Sequence, residues 1–249
     1  MKISDYRLAA REKLRGRWGV FALLVLISVL LSKGINVVFD VFLGKDYPWI
    51  MLLSSLFLTF AFNYGLFYAS LLVSRGQDIS LKMIFSGFNE GRYLPLLLIN
   101  IMEQLVTIIL SLILALPFMG ILGASILSSI FLSSGGITIN SVFELAGVGG
   151  FSALAFLTIL FVLIIAGIGL LVDGFFQIIV LMRLEDSRLS FRDLVKSSLA
   201  LLKGNWWNLF LLQISFIGWS LLGIFLVPLL WVIPYRLVSI TEFYQATKK

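Results

Sequence analysis

The chain contains no cysteine and no histidine. That excludes disulfides, thiolate metal sites, cysteine nucleophiles, imidazole acid–base chemistry and zinc-protease motifs such as H-E-x-x-H. Charge is also scarce. Only 13% of the 249 residues are Asp, Glu, Lys or Arg, about half the ~25% of a soluble domain. The P-loop, the G-x-G-x-x-G and G-x-S-x-G turns and the EF-hand loop are all missing. What is abundant is apolar surface: 60% of residues are hydrophobic, against about 45–50% in soluble domains. This composition is that of a polytopic membrane protein, and it excludes a soluble enzyme.

The N-terminal segment, residues 1–17, carries Lys2, Arg7, Arg11, Lys13, Arg15 and Arg17 before the first apolar run. That run is too long for a signal-peptide core and lacks a small-residue cleavage site, so an uncleaved first membrane helix is expected. The net charge of +6 is read as a topology and anionic-lipid signal rather than as a nucleic-acid interface.

A membrane-spanning helix needs about 20 apolar residues. Trp18 to Leu43 qualifies, interrupted by Lys33, Asn36 and Asp40, and a turn at Gly44 to Pro48 leads to a second span from Trp49 to Ser74. Residues 75–92 form a polar connector. The third span runs from Tyr93 to Leu116, before Pro117; Phe118 to Leu132 either prolongs it or folds at the outer surface. A Gly-rich outer loop is expected over 133–150, a fourth span from about Phe151 to Met182, and a second connector over 184–205. The last stretch, 206–249, suits two short helices with a turn near Gly223 to Pro228. Six spans then place all but Lys33 and Lys45 of the 19 basic residues on the cytoplasmic side, as the positive-inside bias requires.

Three segments repeat a pattern. Each offers an N-cap (Ser4, Asp78, Ser190), then mixed apolar and charged residues, then a glycine (Gly16, Gly91, Gly204), then an aromatic two residues on (Trp18, Tyr93, Trp206). Ser190 with Asp193 fits a capping box, and the glycines suit left-handed helix ends. The expected unit is an amphipathic surface helix, with Leu8, Leu14, Ile84, Phe85, Leu194 or Leu199 facing acyl chains, followed by a membrane hairpin. The fold expected is therefore an all-α membrane bundle forming one domain, 1–249. It has six transmembrane helices arranged as three hairpins (18–74, 93–183 and 206–249), each preceded by a cytoplasmic amphipathic surface helix (1–17, 75–92 and 184–205).

Polar residues at membrane depth are costly and often functional. Asn100, Glu103, Gln104 and Thr107 share a face of the third span, Asp173 and Gln177 share a face of the fourth, and Asn63 and Gln213 add amides. They form either a polar cavity for a cation, a proton or a headgroup, or a set of mutual hydrogen bonds holding the bundle together. At the interface, Arg7, Arg11, Arg15, Trp18, Arg92, Tyr93, Lys203, Trp206 and Arg236 are candidates for lipid-headgroup contact. Gly120, Ala124 and Ser128 have the small-xxx-small spacing that permits helix association within or between chains. No catalytic residue, metal site or cofactor is read from the sequence.

The opening M-K-I-S-x-x-R-x-x-A-R-E-x-L-x-G-x-W resembles an uncharacterised bacterial integral-membrane family, domain-of-unknown-function family 975. So do S-R-G at Ser74 to Gly76, I-F-S-G-F at Ile84 to Phe88, and the block L-L-K-G-N-W-W-N-L-F-x-L-Q-I-S-F-I-G-W from Leu201 to Trp219. L-W-V-I-P-Y and a closing E-F-Y complete the likeness. The resemblance implies a bacterial cytoplasmic-membrane protein and no reaction. The expected role is non-enzymatic interaction with anionic inner-leaflet lipid or a membrane-protein partner, both termini being cytoplasmic, with self-association left open. The alternative is a small transporter or permease component built around Glu103 and Asp173.

Overall fold

The computed structural model describes residues 2–43, 49, 53–89, 91–132, 139–221 and 226–248. Among them are nine α-helices. They are α1 (Ile3–Lys13), α2 (Trp18–Leu43), α3 (Phe60–Ser74), α4 (Tyr93–Leu132), α5 (Ile139–Glu185), α6 (Phe191–Leu202), α7 (Trp206–Ile214), α8 (Ile217–Leu221) and α9 (Leu226–Thr247). A π turn, Ser55–Thr59, leads into α3, and a 3₁₀ helix, Leu81–Phe88, follows it. The expected turns at 44–48 and near 223–228 fall largely outside the described residues, as does 133–138 of the expected outer loop. Residues 139–150 of that loop are helical, and the backbone from Phe118 to Leu132 continues α4 through Pro117. The chain divides into two compact units, residues 1–103 with 170–249, and residues 104–169.

Six spans in three hairpins do not form. Among the described residues, four helices are long and apolar enough to cross a membrane: Trp18–Phe42, Ser55–Ser74, Tyr93–Leu116 and Thr158–Glu185. The C-terminal stretch accounts for the difference. It is apolar throughout, but its helix ends at Ile214 and a new one starts only at Ile217. At ~1.5 Å per residue, the nine residues of α7 cover about 14 Å, well short of the ~30 Å hydrocarbon core. α9 has the length, at 22 residues, but its second half faces protein: Val238, Ser239, Ile240, Thr241, Phe243 and Tyr244 are fully buried.

The connectors depart from the expected surface helices for a related reason. Leu14, Ile84 and Leu194 are buried inside the protein, while Leu8, Phe85 and Leu199 are exposed. Each connector folds back along a neighbouring helix. The 3₁₀ segment runs beside α3, with Gly65 against the Ile84 backbone and Gly87 against Ala61. A Cβ on Gly65 would lie 2.5 Å from the Ile84 carbonyl oxygen, so only glycine lets the two backbones touch.

The same arrangement recurs at α5–α6, where the Ser198 hydroxyl meets the Met182 sulfur at 3.2 Å. It recurs again at α9–α1, where Tyr6 packs edge-on against Phe243 at 5.4 Å. The three repeat aromatics close the pattern: Trp18 lies 6.1 Å from Tyr235, Tyr93 5.4 Å from Phe60, and Trp206 5.9 Å from Phe175.

Local chemistry fixes these turns. Gly16, Gly91 and Gly204 have φ of 81°, 77° and 83°, the left-handed region that other residues enter at a cost of roughly 1–2 kcal/mol. Ser190 caps α6, accepting from the Asp193 amide at 3.3 Å and donating to its carboxylate at 2.6 Å. The other two caps shift from the expected positions. α1 starts at Ile3, with Asp5 accepting the Lys2 amide at 2.8 Å, and the 3₁₀ segment is capped by Ser80.

Candidate functional site

Two groups of residues hold most of the unusual chemistry. The first is a polar cluster where α5, α7 and α9 meet. Asp173 and Gln177, one turn apart on α5, are joined by a hydrogen bond from the Gln177 amide to the carboxylate at 2.7 Å. From α9, Arg236 donates to the same carboxylate oxygen at 2.5 Å and to Gln213 Oε1 on α7 at 2.7 Å. The Gln213 amide nitrogen in turn donates to the Leu170 carbonyl. Gln213 reaches this far because Gly174 has no side chain: a Cβ there would collide with the Gln213 amide and press on Leu209. An arginine shared between a carboxylate and an amide is a charge-neutral joint between helices.

Glu103 is half-buried on α4. Its expected face-mates divide. Asn100 is buried and donates to the Leu56 carbonyl of the π turn at 3.1 Å, whereas Gln104 and Thr107 are exposed. Asn63 is exposed as well. Near the far end of α2, Asn36 accepts the Ser54 hydroxyl at 2.8 Å, and no ion pair joins Lys33 to Asp40 among the described residues. The side chains of Gly120, Ala124 and Ser128 lie outside the described set.

The second group lines a groove of ≈ 380 Å³ at the junction of α1 and α2, formed by Leu8, Arg11, Glu12, Arg15 and Trp18. Leu8, Arg11 and Glu12 lie on α1, Arg15 lies in the turn that follows it, and Trp18 opens α2. Trp18 is held from behind by Tyr235. Leu8 is 62% exposed. Arg11 and Arg15 are exposed and make no hydrogen bond or ion pair among the described residues.

The remaining basic candidates are occupied inside the protein, apart from Lys203, which is exposed. Arg7 stacks over Phe216 at 5.3 Å and Tyr235 at 5.6 Å, and Arg92 over Tyr68 at 4.8 Å. Arg236 faces Asp173 and Gln213 rather than a membrane surface. Tyr93 donates to the Phe57 carbonyl at 2.7 Å and stacks on Phe88. Trp206 packs on Phe175.

Sequence reasoning passed over two features. One is a clasp in which the Glu185 carboxylate accepts from Arg75 at 2.6 Å, Tyr244 at 2.5 Å and Lys248 at 2.8 Å, while Ser74 donates to Glu242 at 2.6 Å. Burial, and then the hydrogen bond to Glu185, push the Tyr244 phenol well above its ordinary value. The other is Tyr64, whose buried hydroxyl has no partner among the described residues. The positive charges of Arg75 and Lys248 were a signal for the clasp, although nothing local pointed to Glu185 as their shared acceptor.

The chain matches, over residues 1–249, the family model described as "Protein of unknown function (DUF975)". No curated protein and no solved structure matches it. With four candidate spans among its described residues and an end-to-end match to that model, the chain belongs to the DUF975 family of membrane proteins.

Proposed function

We propose that this is a non-enzymatic protein of the bacterial cytoplasmic membrane that engages anionic lipid headgroups in the groove between α1 and α2. The observation that carries this reading is the pair of exposed, unpaired guanidinium groups of Arg11 and Arg15, set between the indole of Trp18 and the exposed Leu8. Guanidinium groups are suited to phosphate through paired N–H donors. An indole favours the headgroup level, and an exposed leucine alongside suits the upper acyl chain. Glu12 on the groove wall opposes anions, but two arginines outweigh one carboxylate.

The four candidate spans among the described residues, if all cross, return the C-terminus to the side of the N-terminus. The packing of Tyr6 on Phe243 supports a shared side, and the basic N-terminal segment favours the cytoplasmic one. A transport site centred on Asp173 has weaker support, because Arg236 and Gln177 already occupy that carboxylate.

The test is lipid selectivity by native mass spectrometry of protein released from mixed phosphatidylglycerol–phosphatidylcholine nanodiscs. A basic residue near an anionic surface contributes about 1 kcal/mol. Replacing both Arg11 and Arg15 with Gln should therefore weaken retention of the anionic lipid by roughly 30-fold, without changing that of the neutral one. Unaltered selectivity in the double variant would remove the support for this function.

A further inference from the structure

A second groove, of ≈ 230 Å³, lies between the start of α4 and the turn that joins α5 to α6. Its floor is the buried Ile99 and Leu194, and its rim is Leu94, Leu98 and Phe191, which are 64%, 47% and 37% exposed. Among the described residues, two polar side chains line it, Arg183 and Ser190. Ser190 is committed to Asp193 as the cap of α6. Arg183 is half-buried, and its Nη1 donates to the Leu189 carbonyl at 2.8 Å. An arginine has five N–H donors, and the others find no partner among the described residues. The carboxylates close to it in sequence are engaged: Glu185 by Arg75, Tyr244 and Lys248, Asp186 by the Arg188 amide, and Asp193 by Ser190. Arg183 is thus a cation fixed beside an apolar groove, without a counter-ion among the described residues.

The level of the groove selects the occupant. The candidate span in α4 begins at Tyr93, and that in α5 ends at Glu185. Leu94 and Leu98 therefore lie in the first two turns of one span, and Arg183 in the last turn of the other. Between these two ends the groove sits where headgroups give way to acyl chains. Its volume is below the ~300–1,000 Å³ that encloses a whole small ligand, so it takes a segment of one chain while the rest of the molecule stays in the bilayer.

We propose that this groove binds one phospholipid, with a segment of acyl chain between Leu94, Leu98 and Phe191 and the phosphodiester on Arg183. Guanidinium matches phosphate through paired N–H donors. The bond to Leu189 already orders the side chain, which lowers the cost of binding. The site shares no residue with the α1–α2 groove and does not depend on it.

The experiment uses the full chain in nanodiscs and two photoactivatable probes with the same diazirine-bearing acyl chain, a phosphatidylglycerol and a diacylglycerol that lacks the phosphate. Crosslinked peptides are identified by mass spectrometry, and thermal unfolding reports whether each variant folds. Leu112 and Ile113, exposed on α4 and not part of the groove lining, report unselective labelling. The variants are Arg183→Gln, Leu98→Trp, which fills the groove from its rim, and Arg11→Gln with Arg15→Gln.

The phosphatidylglycerol probe should label residues 94–99 and 189–194 saturably and be displaced by unlabelled phosphatidylglycerol, while labelling at Leu112 and Ile113 rises in proportion to probe. The diacylglycerol probe should label the groove about fivefold more weakly, and Arg183→Gln should weaken phosphatidylglycerol labelling by a similar factor, the worth of one basic residue against an anionic lipid. Leu98→Trp should abolish the saturable component, and the Arg11 and Arg15 double variant should keep it. Groove labelling that never saturates, equal labelling by the two probes, or saturable labelling that persists in folded Leu98→Trp or is unchanged in folded Arg183→Gln overturns the site. Labelling lost in the Arg11 and Arg15 double variant overturns its independence. Labelling seen only at one copy per disc also overturns the site, because a second copy of the chain then covers the groove. If Arg183→Gln does not fold, the comparison of the two probes on the wild type decides.

Discussion

Arg236 is the residue on which three helices depend, and its removal has a calculable cost. In Arg236→Met the apolar stem is kept and the guanidinium lost. The hydrogen bonds to Asp173 at 2.5 Å and to Gln213 at 2.7 Å go with it. Hydrogen bonds to charged groups contribute about 1.5–3 kcal/mol each, and stripping a buried ion of its partner costs about 3–5 kcal/mol. The Arg236 and Asp173 side chains retain 33% and 40% exposure, so the lower end applies, about 3 kcal/mol. At about 2–4 °C per kcal/mol for a chain of this size, the melting temperature in nanodiscs should fall by roughly 6–12 °C.

Asp173→Leu alone should cost a similar amount, because it leaves the arginine without its carboxylate. The double variant, Asp173→Leu with Arg236→Met, should recover most of the loss, since replacing both members of an ion pair with apolar groups is often neutral. The double-mutant cycle isolates the pair term. Additive losses would mean that the two side chains act on stability separately and that no ion pair couples α5 to α9.

Other outcomes follow from burial, close approach and ionisation. Leu14→Ala should destabilise the protein by about 2–5 kcal/mol, because Leu14 is fully buried; Leu8→Ala should have little effect on the melting temperature, because Leu8 is largely exposed. Gly65→Leu should prevent the 3₁₀ segment from seating on α3, seen as faster amide exchange over Leu81–Phe88, whereas exchange unchanged from wild type would mean that the glycine contact does not hold the segment. The Tyr244 phenol is raised by burial and by Glu185. Its hydrogen bond is therefore intact below the unfolded value of about 10 and its contribution is lost as pH rises beyond that. Tyr244→Phe should lower stability at neutral pH and flatten the alkaline decline, read from melting curves across pH.

The sequence made α2 and the first half of α4 readable, because uninterrupted apolar runs of 20 or more residues have few alternative structures. It made the Asp173–Gln177 pair readable through 3–4 spacing, and the turns at Gly16, Gly91 and Gly204 through their place before an aromatic. It could not place the break after Ile214, since the stretch is apolar on both sides of it and run length alone carries no stop signal. The 3₁₀ segment escaped for another reason: over eight residues, a three-residue period is hard to separate from 3.6. Arg236 lies 63 residues from its carboxylate partner, and nothing local in either helix announces the pairing. The inward faces of Leu14, Ile84 and Leu194 were legible as apolar, but the partner they face, protein or lipid, depends on the tertiary fold.

The proposed lipid site requires that Arg11 and Arg15 hold a lipid phosphate. Solid-state NMR measures this directly, through dipolar coupling between guanidinium nitrogen and lipid phosphorus in phosphatidylglycerol bilayers containing arginine-labelled protein. Phosphorus-dependent dephasing of the Arg11 and Arg15 signals is expected. None is expected at Arg236, which is held by Asp173, or at Arg7, which stacks on Phe216 and Tyr235. Dephasing at Arg236 or Arg7, with Arg11 and Arg15 silent, would contradict it.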